Sequence, residues 1–222
     1  MAGTVLSMAR TDVVRDYGGI SADDRRAERR RKLLEAGRRV WGEVGIAKVT
    51  VRGVCSACGL TPRYFYEHFT NTEALIIAIA SQVRDELFAA LVRASLAEPG
   101  NLEHKLRAAF TAFLDLIADD PHVHRVFAAV TAGEAGLAQQ RSEALDMVAD
   151  LVLQYGPALL DVERASPADL RRGALFVVGG VNQLIGAWLR DPQESTGELA
   201  EICTRLCLAT VNGGAALPSL DG

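Results

Sequence analysis

The sequence predicts an all-α fold of about nine helices, and three observations carry that expectation. Apolar residues recur at spacings of three and four along most of the 222 residues. Many segment starts pair Ser, Thr or Asp with a following Pro, or with Glu three positions on, the chemistry of helix N-termini. No alternating apolar–polar run of strand length occurs, and no internal repeat. The same pattern divides the chain into an arm (1–22), a three-helix unit (23–70), a larger helical body (71–213) and a tail (214–222).

The arm carries Gly18-Gly19 and no periodic apolar face. From Asp24 the pattern turns helical, with Leu33, Gly37, Val40 beside Trp41, and Val44 on one stripe, and Gly45 as its stop. Thr50 caps a short second helix, offering its hydroxyl to the amide of Arg52 or Gly53. Val51, Val54, Cys55 and Cys58 form that helix's inward stripe, and Gly59 ends it. Thr61-Pro62 starts a third helix, since Pro at the first helical position forfeits no needed amide hydrogen. Phe65 and Phe69, four apart, point inward together.

Further along, Thr70-Asn71-Thr72-Glu73 reads as a capping box for a long helix reaching about Leu96. Beyond Pro99-Gly100, Leu102, Leu106, Phe110, Phe113 and Ile117 make one stripe. Asp120-Pro121 caps a short helix through Phe127, and Thr131-Ala132-Gly133-Glu134 reads as a box opening the next. Ser166-Pro167 starts a helix that Asp191-Pro192 stops, and Ser195-Thr196-Gly197-Glu198 caps the last.

Composition narrows the function classes. Hydrophobic residues make up 49%, enough for a sizeable core. The longest apolar stretch, near Ala174–Ile185, is interrupted by Gly179, Gly180, Asn182 and Gln183, which argues against a membrane span. The first residues hold Arg10, Asp12, Arg15 and Asp16 without an apolar core, so a cytoplasmic location is expected, with the four cysteines as thiols. Net charge is −4, unevenly spread: residues 1–75 carry 13 basic and 9 acidic groups. Between Arg25 and Tyr66 stand 11 basic residues against Glu28, Glu35 and Glu43. A basic module on an acidic body points to a polyanionic partner for that module.

Two short helices around a turn containing Gly59 have the layout of a helix-turn-helix, whose second helix presents its N-terminal residues to the major groove. Arg63 suits guanine O6 and N7, while Thr61 and the tyrosine hydroxyls suit phosphates. The run from Thr50 to Leu75 resembles the DNA-binding domain of the TetR family. The matching marks are the Thr opening helix two, Gly59-Leu60-Thr61 in the turn, Tyr66-Glu67-His68-Phe69 ending helix three, and Glu73-Ala74-Leu75 starting helix four.

The resemblance implies a homodimer on palindromic double-stranded DNA, a C-terminal ligand-binding and dimerisation body, and repression released by a small molecule. By position, Thr50, Tyr66 and His68 match the family's phosphate-contacting residues, and Thr61, Pro62, Arg63 and Tyr64 its base-facing ones. Arg52 joins the DNA-facing set. Two departures stand out: Thr72 replaces the family's usual lysine, and Arg63 and Tyr64 are larger than the residues common there. The run Arg25 to Lys32 is read either as a second DNA contact or as a solvated helix start.

In the body, the helix from Asp169 to Arg190 is apolar nearly all round, which suggests its own core on one side and a partner subunit on the other. Val178, Gly179, Ile185, Gly186 and Leu189, with Ile202 and Leu206 of the last helix, form the expected dimer interface, a bundle of four helices across two chains. Phe110, Phe113, Phe127, Met147, Tyr155, Phe176 and Asn182 combine aromatic bulk with polar tips and are candidate linings for a lipophilic or aromatic effector of unknown identity.

Cys55-x-x-Cys58 reads as a pair of small hydrophobes on an inward stripe, and His122-x-His124 lacks further ligands nearby, so neither metal nor cofactor is expected. No phosphate loop, nucleophile elbow or HExxH occurs, and an enzyme is not expected. The competing reading is an all-helical enzyme or a protein-binding adaptor built on the body alone.

Overall fold

The computed structural model describes residues 21–134, 136–160 and 167–214. Among these, nine α-helices follow one another: α1 (Ala22–Val44), α2 (Val51–Cys58), α3 (Pro62–Tyr66), α4 (Thr72–Ala97), α5 (Leu102–Asp119), α6 (Pro121–Ala132), α7 (Ala138–Leu160), α8 (Pro167–Arg190) and α9 (Thr196–Gly214). A single 3-10 turn, Ile46–Lys48, joins α1 to α2. Nearly all of the expected arm, and the tail after Gly214, lie outside the described residues.

Local chemistry explains the boundaries. Ser21 accepts from the amide of Asp24, whose carboxylate takes the Ser21 amide in return, a capping box that starts α1 ahead of Asp24. Thr50 accepts from Gly53 and opens α2; Gly59, at φ 69°, closes it in the left-handed region where a Cβ is penalised. Asp120 Oδ1 accepts from the amides of His122 and Val123, and Pro121 follows as the first residue of α6. Ser195 and Glu198 exchange hydrogen bonds at the start of α9 as expected.

Two expected caps are corrected. Asn71, not Thr70, caps α4, its side chain accepting from the amide of Ala74. Thr131 opens nothing: α6 continues past Phe127 to Ala132 and ends at Gly133, φ 67°, so Thr131-x-x-Glu134 straddles a helix end. Val44, expected on the inward stripe of α1, is 58% exposed, while Leu33, Gly37 and Trp41 are buried.

The first core joins α1, α2 and α3 to α4 and α6. Leu33, Trp41, Val54, Phe65, Phe69, Leu75, Ile79, Val83 and Val126 are all buried in it. Full burial of a side chain such as Phe65 contributes about 1.5–3 kcal/mol, so its aromatic anchors fasten this short helix to the core in addition to its own backbone hydrogen bonds. Gly37 exists because Leu75 and Ile79 press against α1: a Cβ there would sit 2.7 Å from Ile79 Cδ1. The second core gathers Leu114 of α5, Ile185 of α8, and Leu199, Ala200 and Cys203 of α9. Phe113, Phe127 and Leu189 pack against both.

Arg38 of α1 ties these parts together. Its Nη1 donates to both oxygens of Glu86 on α4, at 2.9 and 2.7 Å, and its Nη2 to Asp120 Oδ2 at 2.8 Å. Burial alone would raise the Asp120 pKa, but the His122 and Val123 amides and the Arg38 guanidinium outweigh it and hold the carboxyl below its ordinary range.

Candidate nucleic-acid interface

Phe65 and Phe69 are buried and lie 5.7 Å apart, ring centre to ring centre, anchoring α3 from beneath. The opposite face of α3 is therefore turned outward. The Arg63 side chain is 87% exposed, Tyr66 is 60% exposed, and Thr61, Pro62 and Tyr64 also lie on the surface. Thr61 sits at the N-cap position with no side-chain capping bond, which leaves its hydroxyl available. Thr50 and Arg52 are exposed at the start of α2. All seven of these expected residues are exposed.

His68 departs from that pattern. It is half-buried, and its Nε2 is buried without a partner among the described residues. Burial pushes its pKa down, and Arg26, Arg29 and Arg30 push it further, against a smaller upward effect of Glu67. With its Nε2 buried, the ring does not present that nitrogen to a duplex in this conformation, whereas a phosphate contact needs an exposed donor.

The α1 arginines adjoin α3, a feature the sequence reading left open. Arg26 Nη2 donates to the Glu67 carbonyl at 3.4 Å. The Arg29 guanidinium lies 4.8 Å from the centre of the Tyr64 ring and 3.9 Å from Glu67. Arg30 stacks over Phe69 at 4.9 Å. Arg31 and Lys32 turn instead to Glu28, and Arg31 also to Glu35, so that part of the basic run is neutralised along its own helix. Positions 26, 29 and 30 share a helical face, a signal present in the sequence and readable from the 3.6-residue period.

In the body, Phe113 and Phe127 meet edge to face at 5.5 Å, and Phe110 packs in the same cluster. Asn182 is half-buried with its Nδ2 buried and unpartnered among the described residues. Met147 is half-buried on α7; the side chain of Tyr155 lies outside the described residues. Phe176 is 73% exposed and does not join the aromatic cluster.

The residues expected at a dimer interface also separate. Ile185 is buried in the second core. Gly186 faces α6, where a Cβ would meet Thr131 Cγ2 at 2.9 Å, so its closeness is used within the subunit. Val178 is buried, Leu189 and Ile202 are half-buried, and Leu206 is 48% exposed. Gly179 has open space above it, as do Gly173 and Gly180.

Cys55, Cys203 and Cys207 are buried and Cys58 is half-buried; all four are free thiols. Burial pushes the Cys203 thiol up to about 11, and burial with its neighbour pushes Cys207 up to about 12. Among the described residues no group of three His, Cys, Asp or Glu is placed to hold a metal ion. No described helix is long and apolar enough to cross a membrane.

Fold and site together define a helix-turn-helix protein with a larger all-helical body. Residues 33–79 match the family model described as bacterial regulatory proteins, tetR family. It is 33% identical over 75 residues to the HTH-type transcriptional repressor Rv1474c of Mycobacterium tuberculosis, a stretch covering 34% of this chain and 40% of that protein. It is 27% identical over 173 residues to the probable HTH-type transcriptional regulator ArpR of Pseudomonas putida, covering 74% and 82%. A tetR-family transcriptional regulator from Streptomyces coelicolor superposes with a TM-score of 0.68 at 19% identity, over 86% of this chain and 83% of that one. The helical body therefore shares the fold of such regulators.

Proposed function

We propose that the chain is a DNA-binding transcriptional regulator that acts as a homodimer, a repressor released from a palindromic operator by a small lipophilic or aromatic molecule. The observation that carries this reading is the outward face of α3, with Arg63 87% exposed and flanked by the α1 arginines. Arg63 reads a guanine edge; Thr61 and Tyr64 stand beside it, with Tyr64 held by Arg29; Thr50, Arg52 and Tyr66 take phosphates. His68 supports the helix from behind. The name of the Rv1474c relative supports repression as the sign of control.

A second copy covers the outer face of α8 and α9. Leu175, Phe176 and Leu206 are exposed there at 39%, 73% and 48%, and the open glycines of α8 permit close approach. Phe176 belongs to this interface and not to an effector pocket. The effector's place is beside the Phe110, Phe113 and Phe127 cluster, with the Asn182 Nδ2 of α8, buried without a partner among the described residues, as a candidate donor. Such a regulator works in the cytoplasm, without cofactor or catalysis.

The test is selection of bound duplexes from a random pool by the full chain, followed by fluorescence anisotropy on the selected site. The expected result is a palindrome carrying two chains, with affinity falling about a thousandfold or more between 50 and 200 mM salt, the behaviour of six or more phosphate contacts. Failure to enrich any sequence, or affinity indifferent to salt, refutes the proposal.

A further inference from the structure

A cleft of about 500 Å³ lies where the end of α1 and the Ile46–Lys48 turn face α6 and the end of α8. No residue of α3 lines it, and it borders the aromatic cluster of the body at Leu189. Its apolar lining comes from Trp41, Ile46, Ala128, Ala129 and Leu189, with Gly186 in the floor. Alanines on α6 leave this space unfilled, in a size range of about 300–1,000 Å³ that suits small organic ligands.

The polar groups at its edge do not cancel one another. Arg125 donates from Nη1 to the Glu43 carbonyl at 3.0 Å, and among the described residues no carboxylate pairs with it. Arg190 folds back over the cleft, its Nη1 within 3.9 Å of the Cβ position of Gly186. Glu134 also lines the cleft. Two guanidiniums and one carboxylate leave a net positive edge. Thr131, on the wall, has a buried hydroxyl with no partner among the described residues. Guanidinium forks favour planar carboxylates, and an unpaired hydroxyl beside an apolar floor favours a ligand oxygen.

We propose that this cleft binds a small carboxylate whose remaining atoms are apolar and flat, the acid held by Arg190 and Arg125 and the hydrocarbon laid along α6 beside Trp41. The site stands whether or not the chain binds DNA.

The experiment is calorimetric titration of the full chain with 2-naphthoate, and separately with the uncharged 2-naphthalenemethanol. One naphthoate per chain is expected to bind. Arg190→Gln, a surface change that leaves the core intact, is expected to weaken naphthoate about tenfold and leave the alcohol unchanged. Ala128→Phe fills the cleft from α6 and abolishes binding of both, with helical content checked by circular dichroism. The proposal is overturned if naphthoate does not bind, or if Arg190→Gln binds it as the native chain does. It is also overturned if Phe113→Ala in the body cluster, and not the cleft variants, removes binding. Salt-dependent DNA affinity, measured apart, tells failure of this site from failure of the regulator reading.

Discussion

Replacing Arg38 by Met removes a charge that three helices share while keeping most of the side chain's apolar bulk. Its guanidinium makes two bonds to Glu86 and one to Asp120. An exposed ion pair contributes at most about 1 kcal/mol, and breaking a fully buried one costs about 3–5. Arg38 is 18% exposed and each carboxylate 35%, which places the triad between those limits. The expected cost of Arg38→Met is therefore about 2 kcal/mol, or roughly 1 M in a urea midpoint for a slope near 2 kcal/mol/M. Protein concentration must be held fixed, since association stabilises the folded chain.

The pH dependence has a definite sign. The Asp120 carboxyl titrates below its ordinary value in the folded chain. Its contribution is thus fully present above the unfolded pKa of about 3.9 and is lost as pH falls through the lowered folded value. The gap between native and Arg38→Met urea midpoints should shrink as pH is taken below about 4. A cost under about 0.5 kcal/mol at neutral pH would show that solvent screens the triad as it does a surface pair, and the reasoning would be refuted.

Three further outcomes follow from the packing. Gly42→Ala places a methyl 2.2 Å from His122 Cδ2 and should cost about 1–3 kcal/mol in thermal melts; the cost should fall in a His122→Ala chain, which removes the ring but keeps the Cβ at 2.9 Å, and an undiminished cost there would place the clash elsewhere. Thr50→Ala should lose about 1 kcal/mol and speed amide exchange at Gly53, whereas unchanged exchange would deny the cap. Cys203 and Cys207, buried with raised pKa values, should resist Ellman's reagent at pH 8 until denaturant is added; prompt reaction of both would mean that α9 opens readily.

What could be read in advance was local. Pro62 and Pro121 mark first turns because proline needs no amide partner there, and Ser195 with Glu198 closes a box within four residues. The same local logic failed at Thr131, because Thr-x-x-Glu also fits across a helix end once Gly133 turns left-handed. The outward surface of α3 was legible from the phenylalanine spacing alone, since burying Phe65 and Phe69 forces Arg63 out. His68 was not: its neighbours Arg26, Arg29 and Arg30 stand about forty residues earlier, and only the packed chain shows its ring enclosed. Gly186 misled for a similar reason. Glycine spacing reveals that something approaches closely but not which helix, and here it is α6 of the same chain.

The Asp120 carboxylate has one oxygen committed to the first amides of α6 and the other to Arg38 of α1. The first turn of α6 is thereby joined to the middle of α1, the rod that carries Arg26, Arg29 and Arg30 at its far end. The start of α6 and the basic face beside α3 are therefore joined through one helix by a charged contact as well as by apolar packing.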